Sequence, residues 1–236
     1  MKTADNTAFG TIDGERCFFT ADQVQKTGFP GFGALGVQGG EGIIHPLNKL
    51  ALAAHHTGVK MFHTLDKHPK ETAHFAKPPQ KPNYINTWDE HGVDGTDGSL
   101  LHPGLLIALN SDWSTEYIKG DIAALTVYED TSYTGALAHI RGEKELLPDA
   151  LKRAGIRYVY LGGLALGNGA ENKLCVDSTA ADFVELGFDV TVVTDAVEAV
   201  LPENREICLD NLGKMGVHLA TIHEALDEIE ALALVA

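Results

Sequence analysis

The sequence predicts an α/β fold: one doubly wound, mostly parallel sheet with helices on both faces. Runs with the composition of strands alternate with runs that read as helices, which is the rhythm of βαβ units. Hydrophobic residues make up 44% of the 236 residues, enough to bury a large core. No internal repeat or linker interrupts the alternation, so residues 1–236 are expected to form one domain.

Taken in order, TAFGTID is the first strand and ends at Asp13. Residues 28–42 (GFPGFGALGVQGGEG) follow as a loop, because that many glycines would cost backbone entropy in a regular element. The stretch lacks the GxGxxG spacing after a strand and lacks GK[ST], so it is not a nucleotide loop. IIHPLNKLALAAHHTG reads as a helix closed by Gly58. VKMFHTL is a buried strand with Asp66 at its end, and this β–α–β order implies parallel pairing. Residues 68–104 keep no regular period, broken by Pro69, Pro78, Pro79, Pro82 and Pro103. A loop that long inside a compact domain is usually functional or disordered, and its content of His, Asp and aromatics favours function.

The second half alternates more cleanly. EYIKG ends a strand at Lys119, and ELLPDALKRAG is a helix stopped by Gly155. RYVYLGGLA is a buried strand, VDSTAADFVELG a helix stopped by Gly187, and FDVTVVTDA a further strand. PENREICLDNLGKMG is a helix with Pro202 near its first turn, and HEALDEIEALALV is a last amphipathic helix.

Charge narrows the range of partners. With 18 Lys+Arg against 33 Asp+Glu the formal net charge is −15, which repels phosphate backbones and anionic membrane surfaces. Neither nucleic acid nor membrane is expected as a partner. Three cysteines, Cys17, Cys175 and Cys208, are too few and odd in number for a disulfide framework. Together with an N-terminus lacking an apolar signal core, they lead us to expect a cytoplasmic protein.

In a doubly wound sheet the active site lies beyond the carboxyl ends of the strands. Those ends carry Asp13, Asp66, Lys119 and the region leading to Cys175: an acid, a potential metal ligand, a cation and a thiol. Asp66 and His68 are two apart, so at an extended strand end both can face one ion. His91 could close a facial set on that ion, with His74 as a fourth ligand. Histidines number eleven in this chain, so chance clustering is the competing explanation. Cys175 precedes a helix, where the dipole favours a thiolate, although a free cysteine is more often a small core residue. Asp13 and Lys119 would suit proton transfer and charge stabilisation near the thiol; a plain salt bridge is the alternative.

Taken in order along residues 9–199, these segments resemble the nicotinamidase/pyrazinamidase branch of the isochorismatase-like cysteine hydrolases. The matching segments are IDGERCF, LDKHPKETAHF, WDEHGVDGTDG, IKGDIAALTVYEDTSYTGA and KLCVDSTAADF. The resemblance implies Asp13 as catalytic acid, Lys119 as the family lysine and Cys175 as nucleophile. It places Asp66, His68, His74 and His91 on metal-ligand positions, and Phe18 and Trp88 against the substrate ring. It implies a divalent ion, zinc before manganese or iron, and cleavage of nicotinamide or pyrazinamide through a thioester. It also implies a homo-oligomer.

The departures are equally specific. VQNDF reads GERCF here, WPxHC reads WDEHG, and the link before the nucleophile is lengthened by about six residues, 167–172 (GNGAEN). That link normally supplies the oxyanion hole, for which Ala165 and Leu174 are the candidates. Another isochorismatase-like hydrolase, a binding member disabled by the insertion, and a non-hydrolytic metal protein are the competing readings.

Overall fold

A computed structural model of the chain describes residues 1–20, 31–85, 87–120, 133–169 and 173–234. Residues 28–30, 86, 121–132, 170–172 and 235 of the stretches singled out above lie outside the described residues.

The described strands are β1 (Thr7–Ile12), β2 (Lys60–Asp66), β3 (Thr115–Lys119), β4 (Tyr158–Leu166), β5 (Asp189–Ala199) and β6 (His218–Ala220). They form one sheet in the order β3-β2-β1-β4-β5-β6, with every pairing parallel. The helices are α1 (Ile44–Thr57), α2 (Leu106–Leu109), α3 (Leu147–Arg153), α4 (Cys175–Glu185), α5 (Arg205–Lys214) and α6 (Ile222–Ala231).

Two apolar clusters, one on each face, hold the layers together. Ala8, Val159, Leu161, Val190 and Val192 meet Leu147, Val176, Phe183 and Leu212 from α3, α4 and α5. Phe9, Tyr160 and Val193 meet Leu47, Leu50, Ala54, Ala225 and Ile229 from α1 and α6. Alternate residues of one strand therefore enter opposite cores, as a sheet covered on both faces requires. In α1 the buried residues Leu47, Leu50, Ala51 and Ala54 follow the i, i+3, i+4, i+7 stripe. Truncating either leucine to alanine would cost about 2–5 kcal/mol. Gly58, at φ 75°, ends α1 in the left-handed region, with its N–H directed to the last turn.

Three details differ from the sequence expectation. β6 went unread because three residues are too few to show a period. The four-residue α2 lies between the 68–104 loop and β3, in a stretch to which no element was assigned from sequence. The helix expected from Pro202 opens as a 3-10 turn, Pro202–Asn204, and becomes α-helical at Arg205. Among the described residues no helix is long and apolar enough to cross a membrane.

The topology fixes where chemistry can occur. Strand order reverses between β1 and β4, and a crevice opens beyond the carboxyl ends of strands at such a point. Register brings the candidate groups to that crevice: Asp66 pairs with Lys119 across β2 and β3, and Ile12 with Gly163 across β1 and β4.

Candidate active site and metal centre

Asp13, Lys119 and Cys175 converge in the crevice, each buried. Lys119 Nζ lies 2.8 Å from Asp13 Oδ2, 3.5 Å from Cys175 Sγ and 3.6 Å from Asp66 Oδ1. Asp13 follows β1 with φ 46°, a left-handed conformation that aspartate tolerates better than most residues. The Thr64 hydroxyl donates to Asp13 Oδ1 at 2.7 Å and fixes the carboxylate from the neighbouring strand.

Burial disfavours an ammonium, but Asp13, Asp66 and Cys175 outweigh it and hold Lys119 well above the usual lysine range. Burial raises Asp13, even with Lys119 beside it. Burial and the charge of Asp13 push the Cys175 thiol well up, against the pull of Lys119. Cys175 is the first residue of α4, as expected, but its burial and the charge of Asp13 oppose the thiolate that the helix start would favour, and Asp13 stands where it can accept the thiol proton.

A second group lies alongside. His68, His74 and His91 are buried, and their ligating atoms all lie within 4.8 Å of one another. Asp66 Oδ2 stands 3.1 Å from His68 Nε2 and 3.4 Å from His91 Nε2. His91 Nδ1 is 2.7 Å from the carbonyl of Asp89. A carbonyl can only accept, so Nδ1 donates to it, as the outer nitrogen of a metal-ligating histidine commonly does, and Nε2 faces Asp66. Burial, followed by the neighbouring His68, lowers His74 to about 3, so its ring is neutral. Its buried Nδ1 has no hydrogen-bond partner among the described residues. Three imidazoles with a carboxylate form a donor set that fits zinc, manganese or iron.

The backbone holds this group in place. His68 N–H donates to Gly92 O and Trp88 N–H to His74 O, which ties the ends of the loop across one another. Gly120 sits against the ligands at φ 73°; a Cβ there would come within 2.7 Å of Asp66 Oδ1 and 2.8 Å of His68 Cε1. Glu15 is buried, and its Oε2 accepts the Asp66 N–H at 2.7 Å. Burial and the nearby Asp13 and Asp66 push its carboxyl well above the usual range.

Between the thiol and the histidines lies a narrow cavity. Phe18, Trp88, Tyr133, Leu164, Ala165 and Leu174 line it, with Asp66, His74, His91 and Cys175 among its walls. Trp88 Nε1–H donates to Tyr133 Oη at 2.7 Å, and Tyr133 donates in turn to Ile85 O at 3.0 Å. A flat ring placed here meets aromatic walls, polar ligands on one side and a thiol on the other.

The Leu164–Ala165 peptide bond is cis. The described part of the lengthened link turns back onto α5. Asn204 Nδ2 donates to Asn168 O at 2.8 Å, Asn211 Nδ2 to Gly169 O at 2.9 Å, and Cys208 Sγ lies 3.4 Å from Gly167 O. The Leu174 N–H donates to Asp177 Oδ1 at 2.7 Å. Of the two amides considered for the oxyanion hole, Leu174's is thus already engaged. Its side chain still lines the cavity, and Ala165 stands there beside Cys175.

The family model for the isochorismatase domain matches residues 142–224. A nicotinamidase/pyrazinamidase of Mycobacterium tuberculosis is 28% identical over 192 residues, 79% of this chain and 89% of that one. A solved nicotinamidase/pyrazinamidase of Acinetobacter baumanii superposes with TM-score 0.72 at 25% identity, covering 94% of this chain and 99% of its own. The chain thus carries an isochorismatase-domain match in its second half and is similar over most of its length to nicotinamidases. It is a nicotinamidase-like amidohydrolase. A pyrazinamidase of Pyrococcus horikoshii, solved in complex with zinc, shares the hydrolase fold with TM-score 0.67 at 24% identity, covering 92% of this chain and 99% of its own.

The hydrolase gathers all eleven residues expected from sequence around one crevice. Four contributors escaped that reading. Thr64 and Glu15 lie two residues from Asp66 and Asp13, so strand alternation could have pointed to them. Tyr133 belongs to the segment already matched to the family. Asp177 stands three residues after the helix N-cap, where an acid commonly accepts the cap amide.

Proposed function

We propose that this hydrolase is a metal-dependent nicotinamidase, releasing ammonia and nicotinate from nicotinamide, and acting also on pyrazinamide. The observation that carries the reading is the meeting of Asp13, Lys119 and Cys175 within 3.5 Å contacts, beside three histidines and a carboxylate, at one aromatic cavity.

Asp66, His68, His74 and His91 would hold a divalent ion, most suitably zinc, which when bound supplies a Lewis acid for the ring nitrogen of the substrate. Phe18 and Trp88 bracket the ring and exclude water, which places the carboxamide against Cys175. Asp13 takes the thiol proton, while Lys119, held cationic, stabilises the negative charge that develops nearby. Cys175 Sγ attacks the amide carbon, and Ala165 together with the first-turn amides of α4 faces the oxyanion. Asp13 returns the proton to the departing ammonia. Water, deprotonated by Asp13, then cleaves the thioester and regenerates the thiol. The chemistry is that of a cytoplasmic enzyme working on a small neutral carboxamide.

Ammonia release from nicotinamide tests the reading directly. Purified protein should turn over nicotinamide, slow sharply with a chelator, and recover on adding zinc. Cys175→Ala should show no turnover. A metal-replete wild type that releases no ammonia from nicotinamide or pyrazinamide would overturn the assignment.

A further inference from the structure

We propose that Asp177 is a positioning residue for Cys175: its carboxylate clasps the two feet of the lengthened link, so that the nucleophile starts α4 in a fixed place. The role rests on the hydrolytic reading above, but one arm of its test does not.

The link runs from the end of β4 to the start of α4. Asp177 Oδ2 accepts the Gly167 N–H at 3.0 Å, and Oδ1 accepts the Leu174 N–H at 2.7 Å. Gly167 is the first residue after β4 and Leu174 the last before Cys175. An acid at the third position of a helix ordinarily accepts the amide of the N-cap residue, which accounts for Leu174 alone. The bond to Gly167 crosses from the strand side of the link and has no part in capping.

The need for such a clasp comes from the insertion. Lengthening a loop costs little closure free energy, since that term grows only with the logarithm of length. It does enlarge the set of backbone paths by which the chain can arrive at Cys175. Catalysis tolerates that poorly, because a displacement of about 1 Å at a reacting group can cost about 100-fold in rate. Asn204, just before α5, and Asn211 on it fasten Asn168 and Gly169, and Cys208 Sγ reaches the carbonyl of Gly167, which leaves the amides of the two feet to another group. Asp177 sets both, and it is itself only 6% exposed. Burial pushes its carboxyl up to about 6, against the amides and Lys173 that favour its charge, so both oxygens are acceptors at neutral pH. Charge-assisted bonds of this kind are the stronger class.

Asparagine at this position separates clasping from capping. Asp177→Asn keeps one carbonyl acceptor for Leu174, but turns an NH2 toward the Gly167 N–H, where two donors oppose each other. With zinc-loaded protein and nicotinamide, Asp177→Asn should lower kcat about 3- to 10-fold, and Asp177→Ala about 10- to 100-fold. KM should stay within about 2-fold in both, because the residue touches no substrate. Independently of any turnover, the rate at which iodoacetamide modifies Cys175 in the Asp177→Ala protein should change at least about 5-fold, while that of Cys17, a buried thiol on the Glu15 side of the site that makes no bond to the link among the described residues, stays unchanged. An Asp177→Asn protein with wild-type kcat would overturn the proposal, since one acceptor suffices for a cap. Equal changes at Cys175 and Cys17 would overturn it as well, because they would mark general loosening. If wild type releases no ammonia, the nicotinamidase reading fails and the two alkylation rates still decide the clasp.

Discussion

Asp13, Lys119 and Cys175 come from the ends of three parallel strands, or one short link beyond, whereas His68, His74 and His91 all come from the loop at 68–104. Asp13 and Lys119 are placed by sheet register, Asp66 opposite Lys119 and Ile12 opposite Gly163, and are as rigid as the sheet itself, while Cys175 is carried to them by the link after β4. The second set is placed by a few backbone bonds across a loop and by what its rings surround. The comparison teaches that the two halves should respond differently to the same insult. Damage to the strand-end set should cost both activity and fold stability. Damage to the loop set should cost metal affinity and leave the sheet intact.

The largest expected effect is at Lys119. Replacing it with methionine leaves Asp13 and Asp66 buried without their cation. Turnover of nicotinamide should fall about 10²- to 10⁴-fold. Urea unfolding should show a loss of about 3–5 kcal/mol, the usual penalty for an uncompensated buried charge. A Lys119→Met protein of wild-type stability would break the contrast, because the strand-end set would then be no more structural than the loop.

Metal loss comes next. Zinc at about 100 times its dissociation constant should add about 2.7 kcal/mol to the unfolding free energy of wild type. In His91→Ala that gain should disappear while the far-ultraviolet circular dichroism stays that of the wild-type sheet. Loss of the folded signal in this variant would show that the loop is as structural as the strands.

The smallest effect sharpens the boundary between the halves. Glu15 follows β1 but acts on Asp66, through the backbone N–H it accepts. Glu15→Leu should weaken zinc binding about tenfold in competition with a chromophoric chelator, the typical cost of losing an outer partner of a ligand. Glu15→Gln, which keeps an acceptor, should bind zinc within about 2-fold of wild type. Weakening of equal size in both variants would mean that charge, and not the bond to Asp66, is what matters.

The same contrast governs how much was legible in the sequence. The sheet was legible because apolar runs such as RYVYLGGLA must be strands buried on both faces, and the strand-end chemistry followed from where those runs stop. Asp66 and His68 were legible because a spacing of two has a geometric meaning at a strand end. The state of the Cys175 thiol was not. Its position at the start of α4 can be read, but the burial and the Asp13 charge that oppose a thiolate there depend on the folded whole. The path of the lengthened link was illegible for a similar reason. Glycine and asparagine announce a turn but not its fastening, and the bonds from Asn204 and Asn211 to it span 36 and 42 positions of sequence. β6 is too short to carry any period.

The central claim is that the thiol of Cys175 carries the reaction, positioned by Asp13 and Lys119. Acid quenching of nicotinamide turnover, followed by mass mapping of the peptides, tests it most directly. The account predicts a nicotinoyl group on the peptide that contains Cys175 and none on those with Cys17 or Cys208. Steady ammonia release with Cys175 unmodified, and undiminished in Cys175→Ala, would contradict it.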